Sequence, residues 1–198
     1  MDDSKTLNDE YWNTRYLKGE TVWDVGSATP ALTSYFNTIT DKSISILIPG
    51  CGNAYEAEYL LKSGFTNITL LDISEYLTAK LAEKFKGNTN IKIICNDFFT
   101  HEGIYDLIVE QTFFCALPVS MRLDYVNKMW QLLKPKGILA GVFFGVIFDK
   151  EGPPFGGLLS EYIPLFSNKF EILEFGPTTL SIPPRLGSEL FAKLRPKK

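Results

Sequence analysis

Residues 44–64, ISILIPGCGNAYEAEYLLKSG, decide the fold. The first six residues are an apolar, β-branched run and predict a buried strand. Gly50-Cys51-Gly52 then breaks the run, and residues 54–64 carry apolar side chains at helical spacing up to a terminal Gly64. Strand, tight turn and helix in this order form the opening unit of a wound α/β sheet.

The same alternation continues downstream. NITLLD (67–72) predicts a second buried strand, SEYLTAKLAEKF (74–85) a helix capped by Ser74, and NIKIIC (90–95) a third strand. YDLIVEQ (105–111) reads as strand four. VSMRLDYVNKMWQLL (119–133) reads as a helix with Pro118 near its start and KPKG (134–137) as its stop. ILAGVFFGVIF (138–148) is expected as strand five, followed by the GPPFGG loop and a helix through LLSEYIPLF (158–166). FEILEFG and SELFAKLR close the chain as two further strands, paired antiparallel at the sheet edge. No internal repeat or linker interrupts residues 44–198. Residues 1–43, more polar and with their own aromatic cluster, are expected to form an appended cap on a single domain.

The chain has 198 residues, 45% hydrophobic and 22% charged, with a net charge of -3. These values are those of an ordinary globular domain. Lysines and arginines are scattered except for the terminal RPKK of Arg195–Lys198, which reads as a solvated tail; no nucleic-acid footprint is present. No apolar run is long enough for a membrane span, and the MDDSKTLNDE start is acidic where a secretory signal is basic and then apolar. The expectation is a cytoplasmic monomer acting on a small molecule. Cys51, Cys95 and Cys115 are widely spaced in apolar contexts and read as buried, inert thiols; neither a disulfide framework nor a metal site is expected.

Gly50 and Gly52 occupy the strand-to-helix turn where wound sheets let a nucleotide approach the backbone, and a Cβ there would block that approach. Twenty residues past Gly52, Asp72 ends strand two, the usual place for a carboxylate that accepts hydrogen bonds from a ribose diol. Both dinucleotides and S-adenosylmethionine use such a corner. The third glycine of the dinucleotide fingerprint is absent, with Tyr55 in its place, which favours a nucleoside without pyrophosphate. Asp97 and Phe98 follow strand three on the same edge. They suit an adenine amine and ring face, or alternatively a turn cap and a core residue. Glu110 and Gln111 end strand four. His101, the one histidine, lies in a polar loop without an evident partner, so no acid, base or nucleophile is assigned to catalysis.

With these blocks in hand, the chain resembles the thiopurine methyltransferase family, and within it the thiol and halide methyltransferases. The resemblance runs through YWNTRYLKGETVWDVGSATPAL, LIPGCGNAYEAEYL, LLDIS, NDFF, YDLIVEQTFFCALPVSMR, LLKPKG and EGPPFGG. It implies a Rossmann-like class I S-adenosylmethionine-dependent methyltransferase fold: a mostly parallel seven-stranded sheet, helices on both faces, an antiparallel edge and an N-terminal helical cap. The cofactor implied is S-adenosyl-L-methionine. Its implied contacts are Trp12, Tyr16 and Trp23 from the opening aromatic block, Gly50, Cys51 and Gly52 from the turn, Asp72 and Ile73, Asp97 and Phe98, and Gln111. Gln111 stands where relatives carry Arg or Tyr. Ile48 and Ala54 replace an acid and a glycine found in methyltransferases at large.

A sulfonium donor is already electrophilic, so binding, alignment and water exclusion suffice for a soft nucleophile. The expected activity is methyl transfer to a small thiol, hydrosulfide or halide by in-line displacement. Thiopurines, or selenium and tellurium species, are the alternative acceptors, and a catalytically silent cofactor-binding protein or an oxidoreductase the competing classes. Phe113, Arg122 and Phe155 are expected to border the acceptor pocket, while Trp12 and Tyr16, one helical turn apart, are expected to form with Trp23 a lid over the cofactor.

Overall fold

In the computed structural model, which describes residues 7–198, the Gly50–Gly52 turn lies at the point where the order of a seven-stranded sheet reverses. The acidic opening residues 1–6 are outside the described range. The strands are β1 (Ile46–Pro49), β2 (Ile68–Asp72), β3 (Ile91–Cys95), β4 (Tyr105–Gln111), β5 (Leu133–Phe144), β6 (Phe170–Pro177) and β7 (Glu189–Pro196), in the order β3-β2-β1-β4-β5-β7-β6. β1 to β5 are parallel, and β7 pairs antiparallel with both β5 and β6. β1 is flanked by β2 and β4, so connections leave it in both directions and open a crevice at its carboxyl end.

Side-chain alternation divides the core between the two faces of the sheet. Ile46, Ile48 and Leu70 point to one face and pack with residues of α2 (Pro30–Asn37), α3 (Tyr55–Lys62) and α4 (Glu75–Lys84). Leu47, Leu71 and Ile108 point to the other and pack with α5 (Arg122–Leu132) and α6 (Leu159–Ser167). The N-terminal region does not act as one cap. α1 (Asp9–Leu17) leaves every residue at least partly exposed, whereas α2 sends Ala31, Leu32 and Phe36 fully into the core.

α3 ends at the predicted glycine for an identifiable reason. Gly64 has φ of +89°, its N–H donates to the Leu61 carbonyl at 3.0 Å, and the Phe65 N–H donates to Leu60 at 3.0 Å. This paired arrangement satisfies the last carbonyls of the helix and drops Phe65 into the core. Ser74 caps α4 as expected, its hydroxyl accepting from the Leu77 N–H at 3.1 Å.

Three expectations are corrected. The predicted helix over 119–133 begins as a 3-10 turn at Val119–Met121 and becomes α-helical at Arg122. Strand five starts earlier and ends earlier than 138–148: Leu133 already pairs with Tyr105, KPKG bulges from the ladder before Ile138 rejoins at Leu107, and pairing with β7 stops at Phe144. The RPKK terminus is not a free tail. The Lys198 ammonium donates to the carbonyls of Gln131 and Leu133 at the end of α5, and the Lys197 ammonium donates at 2.7 Å to Ser167, the last residue of α6. The Trp130 indole N–H donates to the Lys197 carbonyl at 3.2 Å. Among the described residues no helix is long and apolar enough to cross a membrane.

Candidate functional site

A cavity of about 490 Å³ opens over the carboxyl ends of the parallel strands. It gathers all eleven of the residues expected at the cofactor: Trp12, Tyr16, Trp23, Gly50, Cys51, Gly52, Asp72, Ile73, Asp97, Phe98 and Gln111. They come from five separate segments that only the wound topology places together.

At the turn, Gly50 and Gly52 have φ of +55° and +50°, a region open to glycine at little cost. A Cβ on Gly50 would lie 2.4 Å from the ring of Phe113, so the space beside Gly50 belongs to the protein. A Cβ on Gly52 would meet nothing nearer than the Tyr16 hydroxyl at 3.8 Å, so the backbone there stays accessible from the cavity. Asp72 ends β2 beside this gap. It is buried and accepts from the Ser74 N–H at 3.0 Å, and burial pushes its carboxyl up to about 6.

The aromatic block meets edge to face. Trp12 and Trp23 ring centroids are 5.5 Å apart at 82°, and Tyr16 and Trp23 are 5.8 Å apart at 89°. Burial, then the charge of Asp72, pushes the Tyr16 phenol far up, so it stays protonated. α1 is tethered through Asn13, whose side-chain oxygen accepts from the Ser74 hydroxyl at 2.7 Å and the Tyr76 N–H at 3.1 Å. The loop behind it is tethered through Asp24, which accepts from the Asn53 side chain and, at 3.3 Å, from the Tyr55 hydroxyl. A third tether comes from the far end of the chain: Arg185 donates to the Trp23 carbonyl at 2.9 Å.

At β3, Asp97 accepts from the Phe99 N–H at 2.8 Å, and Phe98 is packed edge-on against Phe99 and Phe113 while still reaching the cavity. Both therefore have a structural role as well as a place in the cavity wall. At β4, Gln111 accepts from the Thr112 hydroxyl at 2.7 Å, and Thr112 itself has φ of +57°, an unusual backbone for a β-branched residue. Glu110 turns away from the cavity. Fully buried opposite Gly141, it accepts from the N–H groups of Phe113 and Phe114 at 2.9 and 2.8 Å and from the Tyr125 hydroxyl at 2.6 Å, with burial holding its carboxyl up at about 7. It fixes the turn that carries Phe113.

The expected acceptor border is only partly assembled. Phe113 lines the cavity; Arg122 and Phe155 are not among its lining residues. Arg122 is buried behind the wall, where its guanidinium lies over Phe114 and Tyr162 and donates to the Phe155 and Gly156 carbonyls at 3.4 and 2.7 Å. Those bonds hold the GPPFGG loop, as does the Phe155 N–H, which donates to the Cys115 carbonyl at 2.7 Å. The loop instead turns Pro153 and Pro154 toward the cavity, which Phe144, Phe148 and Arg185 also line.

Two smaller readings also change. His101 is buried and has a partner, with its Nε2 2.8 Å from the Tyr105 hydroxyl, away from the cavity. Cys51 and Cys115 are buried in the cavity wall, but Cys95 is exposed because β3 is the sheet edge. Asn13, Asp24 and Arg185 escaped sequence reasoning. The first two are unremarkable polar residues within the aromatic block, and Arg185 sits 162 positions from its partner Trp23 with no motif around it.

An adenosine carrying a sulfonium chain fits these residues. The Asp72 carboxylate accepts from the Ser74 N–H and lines the cavity, where a ribose diol can donate to its other lone pairs, the gap at Gly52 admits a ligand against the backbone, and aromatic rings with three tethers wall the space above.

A family model described as thiopurine S-methyltransferase (TPMT) matches residues 7–187. The chain is 33% identical over 187 residues to a probable thiol methyltransferase 2 of Arabidopsis thaliana, covering 90% of this chain and 81% of that protein. It is 29% identical over 191 residues to thiocyanate methyltransferase 1 of Brassica oleracea, covering 93% and 84%. Among solved structures, 1,6-didemethyltoxoflavin-N1-methyltransferase of Burkholderia thailandensis, bound to S-adenosylhomocysteine, superposes with a TM-score of 0.76 at 15% identity, over 98% of this chain and 89% of that one. The chain belongs to the thiopurine S-methyltransferase family and is an S-adenosylmethionine-dependent methyltransferase.

Proposed function

We propose that this methyltransferase acts on a small soft anion, a thiolate, hydrosulfide or halide-like ion, by direct in-line displacement. The observation that carries the reading is the make-up of the wall on the β5 side of the glycine turn. Phe113, Phe144, Phe148, Pro153 and Pro154 make it apolar, and Arg185 is its cation. Among the described residues none on that wall is poised as a general base. Burial pushes the Cys115 thiol far up, and His101 lies elsewhere.

S-adenosylmethionine supplies a methyl group already activated by its positively charged sulfur. The chain's own task is then to orient and to exclude water. Asp72 is the acceptor for the ribose, Asp97 and Phe98 flank the adenine, and Ile73, Cys51 and Gln111 complete the wall. Trp12, Tyr16 and Trp23 close over the sulfonium, each well-placed ring contributing about 0.5–2 kcal/mol by cation–π attraction. Arg185 attracts the anion, and the prolines and phenylalanines strip its water. The names of the thiol and thiocyanate methyltransferase relatives support the same acceptor class.

The test is purified protein with methyl-labelled cofactor and a panel of thiols, hydrosulfide, iodide, thiocyanate and a thiopurine. Label should pass to the small anions. With no base among the described residues of the β5-side wall, kcat/KM for a thiol should rise with pH along the thiol's own ionisation, while that for iodide stays flat. Absence of transfer to every small anion, with transfer to the thiopurine, would replace this reading by the thiopurine one.

A further inference from the structure

We infer that the N-terminal segment holds the amino-acid end of the cofactor, with Asp24 receiving its ammonium group and Arg15 its carboxylate. The inference rests on the cofactor assignment and on the charge of that end, a zwitterion that calls for one acid and one base.

The sheet's own turn provides neither charge: Ile48 stands two residues before Gly50, and β4 ends in the neutral Gln111. Six charged residues line the cavity, among those described. Asp72 and Asp97 end or follow β2 and β3, the ribose and adenine side. Glu56 is buried and accepts from the Thr29 N–H at 2.9 Å. Arg185 lies over the Phe144 ring on the β5 side, 3.5 Å from Glu189. Asp24 and Arg15 remain, and both belong to the lid.

Asp24 is seated where the amino-acid end must pass. Its carboxylate is bound to Asn53 and Tyr55, the residues that follow Gly52 and open α3, and to its own Gly26 N–H at 2.8 Å. Those three bonds orient it over the turn, and a carboxylate with about four acceptor positions retains one for an ammonium donor. Arg15 lies on α1 between Trp12 and Tyr16, its guanidinium 5.6 Å from the Trp23 ring centroid. Its Nε is buried without a hydrogen-bond partner, and among the described residues its ion pair is a 3.4 Å contact with Glu20 at the surface. An unpartnered buried donor is costly, and a ligand carboxylate would satisfy it. In this arrangement the wound sheet binds the nucleoside, and the lid reads whether an amino acid is attached.

Calorimetric titration of the full chain with S-adenosylhomocysteine and with 5′-methylthioadenosine, which lacks the amino-acid end, separates the two contributions. Asp24→Asn and Arg15→Gln should each weaken homocysteine-product binding about tenfold or more, as loss of a hydrogen bond to a charged group does, and leave methylthioadenosine binding within about twofold. Equal losses for both ligands would assign these residues to lid anchoring alone and overturn the inference, as would no loss for either. The Arg15 side chain keeps 30% of its surface exposed, so its variant keeps the fold testable if Asp24→Asn melts early. Failure of the unaltered protein to bind S-adenosylhomocysteine would instead overturn the cofactor assignment on which the inference stands.

Discussion

Gly50 and Gly52 share a left-handed backbone but meet different neighbours, and their substitutions should separate. Gly50→Ala adds backbone strain of about 1–2 kcal/mol to overpacking of about 1–3 kcal/mol against Phe113, and should cost about 2–5 kcal/mol of stability in urea melts. Gly52→Ala carries the backbone strain alone, because its Cβ meets only the Tyr16 hydroxyl at 3.8 Å. Its main effect should be lost S-adenosylhomocysteine affinity. If both variants lose stability equally, the gap at Gly52 is not the ligand's. Asp72 supplies a pH test. Burial raises its folded pKa to about 6, above the ordinary carboxylate range, so the stability it contributes is present at low pH and is lost as pH rises through 6. Ribose hydroxyls donate to the ionised form and offset that loss. Product affinity should therefore fall as pH drops below 6, approaching about tenfold per pH unit, and Asp72→Asn should flatten the slope. All three residues were legible in the sequence because spacing along one βαβ unit defines them. Arg122 was misjudged because adjacency to the TFFCALP block says nothing of which side of the wall a long side chain takes.

Individual elements differ in how far local sequence accounts for them. α3 and α4 were readable with their ends, since Gly64 and Ser74 act within one turn of their own helices. β5 was not, because its limits are set by distant partners: Tyr105 at one end and Glu189 at the other. The C-terminal lysines belong to the same category. They read as a charged tail, yet each ammonium meets backbone carbonyls at the end of a helix, where a cation is favoured by unsatisfied C=O groups and the helix dipole. Lys197→Ala and Lys198→Ala should each lower unfolding free energy by about 0.5–1 kcal/mol in denaturant melts, and activity should be unaffected. No change in stability would return the pair to the solvated reading.

At the scale of the molecule, the first 43 residues contain two parts with different work. Removing residues 1–26 deletes α1, Trp23 and Asp24 but leaves α2 and its Thr29–Glu56 tie, so the product should fold cooperatively and bind S-adenosylhomocysteine poorly. Removing residues 1–43 also takes away the fully buried Leu32 and Phe36, each contributing about 2–5 kcal/mol, and should leave no cooperative melt. A stable, cofactor-binding protein after the shorter deletion would show that the aromatic block is not needed for the site.

The sequence by itself determined the wound parallel sheet, the glycine turn, the carboxylate at the end of the second strand and the family. The first three rest on periodicity or spacing within some thirty residues at a time, which the chain's own geometry enforces, and the family on a resemblance through seven blocks between residues 11 and 157. Tertiary structure alone decided which side chains face the cavity, that Glu110 and Arg122 brace its wall from behind, and that Arg185 reaches back to Trp23 across 162 residues. These depend on strand order and on which face each residue takes, and packing of distant segments sets both.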